Sequence, residues 1–152
     1  MQNRRKMLAT SAKLAALMAA VGLLPTAALA DWSKEAFDAK TLADAVKGLG
    51  GGAPTASKDV TITGPDIAEN GAVVPVGAST TLPGVKRLAL MVEKNPNALA
   101  AVFDVTDAVE ANVSTRVKMG QSSNVYAVAI MNDGKVLYAQ KEIKVTLGGC
   151  GG

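Results

Sequence analysis

VYAVAIMNDGKVLYAQKEIKVTL, residues 125–147, carries the strongest fold signal in this chain of 152 residues. Its first seven residues are all apolar, which predicts a strand that is buried on both faces, as in the centre of a sheet or in a subunit contact. Asn132-Asp133-Gly134 then predicts a tight turn, because these residues tolerate the positive φ angles of a hairpin. Val136 to Leu147 completes the predicted hairpin.

Upstream of the hairpin, apolar and polar residues alternate with a period of two, as in half-buried strands. These segments lie around Val60 and Ile62, around Val74 and Val76, and over Leu88 to Val92, Leu99 to Val105 and Val113 to Met119. Pro75 predicts that its strand lies at a sheet edge, since proline donates no ladder hydrogen bond. About seven short strands, with turns every 8–12 residues or so, predict an all-β fold, an antiparallel β-sandwich.

A short helical segment is expected before the strands. Ser33 and Thr41 are suitable N-caps for two short helices, and Gly48 and Gly50 end the second one. We expect the helices to pack on their own domain. The glycine-rich stretch from Gly50 to Ser57 predicts a linker.

Residues 1–30 have the features of an export signal. Arg4-Arg5 precedes an apolar run of about 11 residues, which is too short to span a bilayer. Ala28-Leu29-Ala30 is a cleavage site, so we expect a mature chain that begins at Asp31 and keeps no membrane anchor. The paired arginines favour the twin-arginine (Tat) route to the periplasm, and an ordinary Sec signal is the alternative.

The charge balance changes once residues 1–30 are removed. The whole chain has 16 basic and 13 acidic residues and a formal net charge of +3. The signal contains four of the basic residues and no acid, so 12 basic and 13 acidic residues remain. We therefore expect no nucleic-acid partner.

Two residue types restrict the chemistry. The chain has no histidine and a single cysteine, Cys150. A Ser-His-Asp or Cys-His triad is therefore excluded, and a transition-metal site is not expected.

Gly148-Gly149-Cys150-Gly151-Gly152 places this cysteine among glycines. Glycine has no Cβ, so residues 148–152 are expected to form a thin, flexible arm that follows the domain of residues 31–147. A thiol on such an arm could enter the narrow active site of another protein. The alternatives are a tail without function and a structural protein that forms an intermolecular disulfide through Cys150.

Four stretches of the chain resemble the SoxY family, the sulfur-carrying subunits of bacterial thiosulfate-oxidising complexes. They are Pro65–Gly71, Val92–Asn97, Ser114–Ser123 and Lys141–Gly152, the last with its Gly-Gly-Cys-Gly-Gly end. The paired arginines and the helical opening also fit the family.

The resemblance implies an immunoglobulin-like sandwich that pairs with the cysteine-free subunit SoxZ. It implies a carrier rather than an enzyme, without a cofactor, in which Cys150 holds sulfur intermediates derived from thiosulfate. The cytochrome SoxAX would load the thiol, the hydrolase SoxB would release sulfate, and a sulfur dehydrogenase, SoxCD, would act where the host has one.

Overall fold

The computed structural model describes residues 7, 8, 10–13, 17 and 33–146. The chain forms two compact units, Met1–Trp32 and Ser33–Gly152. In the first unit the described residues are helical, and the Ser11 hydroxyl donates a hydrogen bond to the carbonyl oxygen of Met7 at 3.0 Å. Arg4, Arg5 and the predicted cleavage site lie outside the described residues. No helix within the described ranges is long and apolar enough to cross a membrane.

The second unit begins with two short helices, α1 (Lys34–Asp38) and α2 (Leu42–Gly48). The side-chain oxygens of Ser33 and Thr41 each accept a backbone N–H from the first turn, at 3.3 and 3.2 Å. Both predicted N-caps are therefore confirmed. Gly50 follows α2 with a φ of 78°, a conformation that lets the chain turn away from the helix.

Nine strands follow within the described part of the chain. They are β1 (Pro54–Ala56), β2 (Val60–Thr63), β3 (Ile67–Ala68), β4 (Val74–Thr80), β5 (Val85–Val92), β6 (Leu99–Asp104), β7 (Asn112–Val117), β8 (Ser123–Met131) and β9 (Val136–Val145). One sheet has the order β1-β9-β8-β5-β6, with β3 also paired to β9, and the other has the order β2-β4-β7. The predicted fold is confirmed: an all-β, immunoglobulin-like sandwich with a short helical segment before it.

The two-sided apolar strand predicted at 125–131 is β8, in the centre of the larger sheet between β9 and β5. Val125, Ala127 and Ala129 face the smaller sheet, while Val128 and Ile130 face the two helices. All five are at most 2% exposed. The helices therefore pack on their own domain, as expected. The alternative, that this run marks a subunit contact, is wrong because the chain covers both faces itself.

Two short strands join β9 in parallel, whereas every other pairing is antiparallel. β1 falls within the predicted linker of Gly50 to Ser57. Backbone bonds from Gly52 to the Gly134 carbonyl and from Ser57 to the Tyr138 carbonyl hold it there, each 2.9 Å long. The linker prediction is therefore wrong over β1.

Pro75 lies in β4, which is the middle strand of the smaller sheet rather than an edge. The prediction that the strand of Pro75 lies at a sheet edge is therefore wrong, although the local pairing explains why a proline is tolerated there. β2 ends at Thr63, opposite Gly77, so β4 has a partner only on its β7 side at Pro75. A missing N–H is tolerated on the side where no strand continues.

The connection between β3 and β4 approaches the end of β9 closely at Gly71. A Cβ built on Gly71 would overlap the carbonyl oxygen of Met119 and lie 2.9 Å from Cγ1 of Val145. The backbone N–H of Met119 also donates to the Gly71 carbonyl at 2.7 Å. Only glycine permits this close approach.

Gly71→Ala should therefore lower the free energy of unfolding by about 1–3 kcal/mol, because the backbone carbonyl of Met119 has to move. Gly120→Ala is the matched control, since a Cβ there meets nothing within 4 Å. Urea unfolding followed by circular dichroism measures both variants. Equal stability of the two variants would show that the close approach at Gly71 is unimportant.

Candidate functional site

The predicted site residues lie outside the described part of the chain. Cys150 and its neighbours Gly148, Gly149, Gly151 and Gly152 follow Thr146, the last described residue. The described residues nearest to Cys150 in the sequence are Val145 and Thr146, at the end of β9. We call this end the root of the C-terminal segment.

Backbone and side-chain hydrogen bonds hold the end of β9 from two sides. On one side, the N–H of Thr146 donates to the carbonyl oxygen of Ala68 at 3.0 Å. On the other side, the N–H of Val145 donates to Oγ of Ser122 at 2.9 Å. The N–H of Lys144 also donates to the Asp66 carbonyl at 3.0 Å. The root of the C-terminal segment is thus fixed by β3 and by the loop before β8.

Lys141 joins β9 to the segment before β3. Its Nζ lies 2.9 Å from Oδ1 of Asp66 and donates to the Gly64 carbonyl at 2.6 Å. The hydrogen bond from Lys141, and then the attraction of its charge, lower the pKa of Asp66 below its usual 3.8. The Lys141–Asp66 ion pair is therefore fully formed at pH values above 3.8. It is lost as the pH falls through the lower pKa that Asp66 has in the folded state.

The positive charges near the root have different surroundings. Lys141 is half-buried and forms an ion pair with the exposed carboxylate of Asp66. Lys144 is exposed on β9, and Arg116 and Lys118 are exposed where Val117 and Met119 turn inward. Arg116 and Lys118 therefore point away from the core.

The loops that meet at this end of the sandwich are linked to one another. Asn95 donates from Nδ2 to the Lys118 carbonyl at 2.7 Å, and the N–H of Lys94 donates to Oγ of Ser123 at 3.0 Å. Together with the contacts of Gly71 and Ser122, these bonds unite four separate stretches of sequence. They are the same four stretches on which the resemblance to a family was based.

Covalent geometry limits the distance of the cysteine from this end. Cys150 follows Thr146 by four residues, and a fully extended chain advances about 3.6 Å per residue, so their Cα atoms are at most about 14 Å apart. Any partner that acts on Cys150 must therefore approach the end of the sandwich where β9 ends.

Asp66 and Ser122, which hold the end of β9, were not singled out from the sequence. Both lie in stretches that carried the resemblance, which was the available signal, but their contacts with β9 depend on the tertiary structure. Among the residues that the structure describes, no group of three or more Asp, Glu, His or Cys side chains could hold a metal ion.

Comparisons with known proteins agree on one family. The sequence pattern of the family described as "Sulfur oxidation protein SoxY" matches residues 46–150, more than half of the chain. Among solved structures, the sulfur carrier protein SoxY from Chlorobium limicola f thiosulfatophilum is 35% identical, with a TM-score of 0.56. That match covers 62% of this chain and 84% of the other.

Other comparisons concern the fold alone. The superoxide reductase (neelaredoxin) from Ignicoccus hospitalis matches with a TM-score of 0.51 at 21% identity, over 57% of this chain and 80% of its own. A search of curated proteins gives no significant match. The family match includes three of the four stretches that meet at the root and the fourth as far as Cys150, and the chain therefore belongs to the SoxY family of sulfur oxidation proteins.

Proposed function

We propose that this protein is a periplasmic sulfur carrier, which binds sulfur derived from thiosulfate on Cys150 and presents it to the enzymes of thiosulfate oxidation. The observation that carries the proposal is the family match, which extends through residue 150 and so includes the cysteine. The similar protein from Chlorobium limicola is itself described as a sulfur carrier.

The proposed loading step is an oxidation by two electrons. The Cys150 thiolate and thiosulfate form one S–S bond: Cys–S⁻ + S₂O₃²⁻ → Cys–S–S–SO₃⁻ + 2 e⁻. The electrons leave through the loading enzyme. Water then releases sulfate: Cys–S–S–SO₃⁻ + H₂O → Cys–S–S⁻ + SO₄²⁻ + 2 H⁺. A carrier keeps the reactive sulfur bound between these steps.

The carrier depends on its partners for activation. A thiol with an ordinary pKa of about 8.5 is only a few per cent ionised at pH 7, and the thiolate is the nucleophile. Near the root, Lys141 is paired with Asp66, and the chain has no histidine to act as a general base. We therefore propose a substrate carrier without catalytic activity or cofactor of its own.

The proposed partners follow from the family. SoxZ would form the heterodimer, the cytochrome SoxAX would load Cys150, SoxB would release sulfate, and SoxCD would oxidise the remaining sulfur where it is present. Arg4 and Arg5 support export through the Tat route, which accepts folded proteins.

The first prediction concerns the thiol. Protein purified from cells growing on thiosulfate should carry mass additions of sulfur or thiosulfonate on the peptide that contains Cys150, and a reductant should remove them. Cys150→Ser should abolish both the additions and thiosulfate oxidation. Intact and peptide mass spectrometry make the measurement. A variant that still oxidises thiosulfate would refute the carrier, and a covalent dimer without sulfur adducts would support the structural alternative.

The second prediction concerns the width of the arm. Gly149→Ala and Gly149→Val should slow enzymatic loading progressively, because a side chain widens the segment and a branched one also restricts its backbone. The melting temperature should barely change, since Gly149 follows the last strand, β9, in the sequence. Alkylation of Cys150 by iodoacetamide serves as the control, because this small reagent does not require entry of the arm into an enzyme and should react with all variants at the same rate. A large loss of stability would instead show that the arm packs on the body.

The third prediction concerns export. Replacing Arg4 and Arg5 together with lysine keeps the charge but removes both guanidinium groups, so the precursor should accumulate in the cytoplasm. Lys6→Arg is the matched control, since it keeps both the charge and the arginine pair. Cell fractionation and the N-terminal sequence, expected to begin at Asp31, report the outcome. Normal export of the double variant, blocked by a Sec inhibitor, would identify a Sec signal.

A further inference from the structure

Asn70 and Gly71 are two neighbouring residues that can react with each other. The backbone nitrogen of a residue can attack the side-chain amide of a preceding asparagine, which closes a succinimide ring, and glycine has no Cβ that obstructs this closure. Of the seven asparagines in the chain, only Asn70 is followed by glycine. The pair lies in the connection between β3 and β4, and Asn70 is exposed to solvent.

The side chain of Asn70 is held in place by a backbone donor. The N–H of Ala72 donates to Oδ1 of Asn70 at 2.9 Å. When a nitrogen attacks Cγ, negative charge develops on this same oxygen, and a donor about 2.7–3.1 Å from a developing oxyanion lowers the barrier to its formation. The fold therefore supplies a donor at the atom where the charge develops.

The attacking nitrogen belongs to Gly71, whose N–H takes part in none of the hydrogen bonds among residues 33–146. The same residue is anchored through its carbonyl oxygen, which accepts from the N–H of Met119 at 2.7 Å. Closure of the ring therefore breaks no hydrogen bond of the attacking group.

Asn97 shows the opposite arrangement and is a comparison within the same chain. It is also exposed, and its Oδ1 accepts from Nζ of Lys40 at 3.0 Å. The next residue, Ala98, is buried, and its N–H donates to the carbonyl oxygen of Ala39 at 3.1 Å. An attack by this nitrogen would have to break that hydrogen bond.

We propose that Asn70 is a site of spontaneous deamidation in the folded protein. The Gly71 nitrogen forms a bond to Cγ of Asn70, the bond from Cγ to the side-chain nitrogen breaks, and ammonia leaves with the proton from Gly71. Water then opens the ring at either of its two carbonyls, which gives aspartate or isoaspartate at position 70. The reaction requires neither an oxidant nor an enzyme, and it does not depend on the proposed function.

The two products should affect the fold differently. Aspartate keeps an oxygen that accepts the N–H of Ala72. Isoaspartate adds a methylene to the main chain directly before Gly71, where a Cβ would already overlap the carbonyl oxygen of Met119 and lie 2.9 Å from Cγ1 of Val145. We therefore expect isoaspartate to disturb the contact with the end of β9, and aspartate to preserve it.

The test incubates the mature full-length chain, with any subunit that purifies with it, at mildly alkaline pH in water enriched in heavy oxygen. Peptide mass spectrometry should find NH replaced by heavy oxygen at position 70. The rate should be about tenfold or more above that at Asn97, where a hydrogen bond has to break first. The label excludes deamidation during digestion, and methylation by a purified isoaspartyl methyltransferase measures the isoaspartate.

Asn70→Gln is the matched control. Glutamine keeps the amide, but its additional methylene requires a larger ring that closes less readily, so position 70 should take up no label. Asn70→Asp should keep the melting temperature of the wild type. Wild-type protein enriched in isoaspartate should melt about 4 °C or more below that temperature.

The outcomes decide the proposal independently of sulfur loading. Label at position 70 that appears no faster than at Asn97 would refute it. Equal labelling of the glutamine variant, or labelling without isoaspartate, would show direct hydrolysis of the amide and would also overturn it. If the isoaspartate form melts at the wild-type temperature, the expected effect on the end of β9 is refuted.

Discussion

The fold depends on strand β8 being covered on both of its faces. Val128 and Ile130 face the helices, while Val125 and the two alanines face the smaller sheet. Burial of a valine or isoleucine side chain stabilises the fold by about 1.5–3 kcal/mol. A sandwich without the helices would expose Val128 and Ile130 and so lose several kcal/mol of stability. The helical segment is therefore part of the core. β8 in turn pairs with β9 at eight successive positions, which makes β9 a rigid support.

This rigidity extends to the end of β9, the root of the C-terminal segment. β9 is held by β8 along its length, by β3 at its end, and by the hydroxyl of Ser122. The Lys141–Asp66 ion pair also joins β9 to the segment before β3. Four residues separate Cys150 from Thr146, so the Cα atoms of the two are at most about 14 Å apart. In the proposed carrier, such a short link would raise the effective concentration of the thiol at a partner bound to this end.

The sandwich alone does not determine the chemistry. A superoxide reductase from Ignicoccus hospitalis shares the fold at 21% identity, so the architecture is compatible with a different function. What distinguishes this chain lies at one end of the sandwich. The four stretches that resemble the SoxY family meet there, linked by contacts such as those of Gly71, Asn95 and Ser122. The proposed function depends on this end and on Cys150, which follows it in the sequence.

The features that the sequence by itself determined depend on neighbouring residues. The sequence predicted the N-caps at Ser33 and Thr41, the Asn132-Asp133-Gly134 turn, the central strand before it, and the sandwich. It also identified Cys150 as the candidate carrier residue. Only the tertiary structure decided which distant segments pair. It made part of the predicted linker a parallel strand, placed β4 in the middle of its sheet, covered β8 with helices and paired Lys141 with Asp66. Local patterns report which face of a segment is apolar, whereas the partner of that face depends on how the whole chain packs.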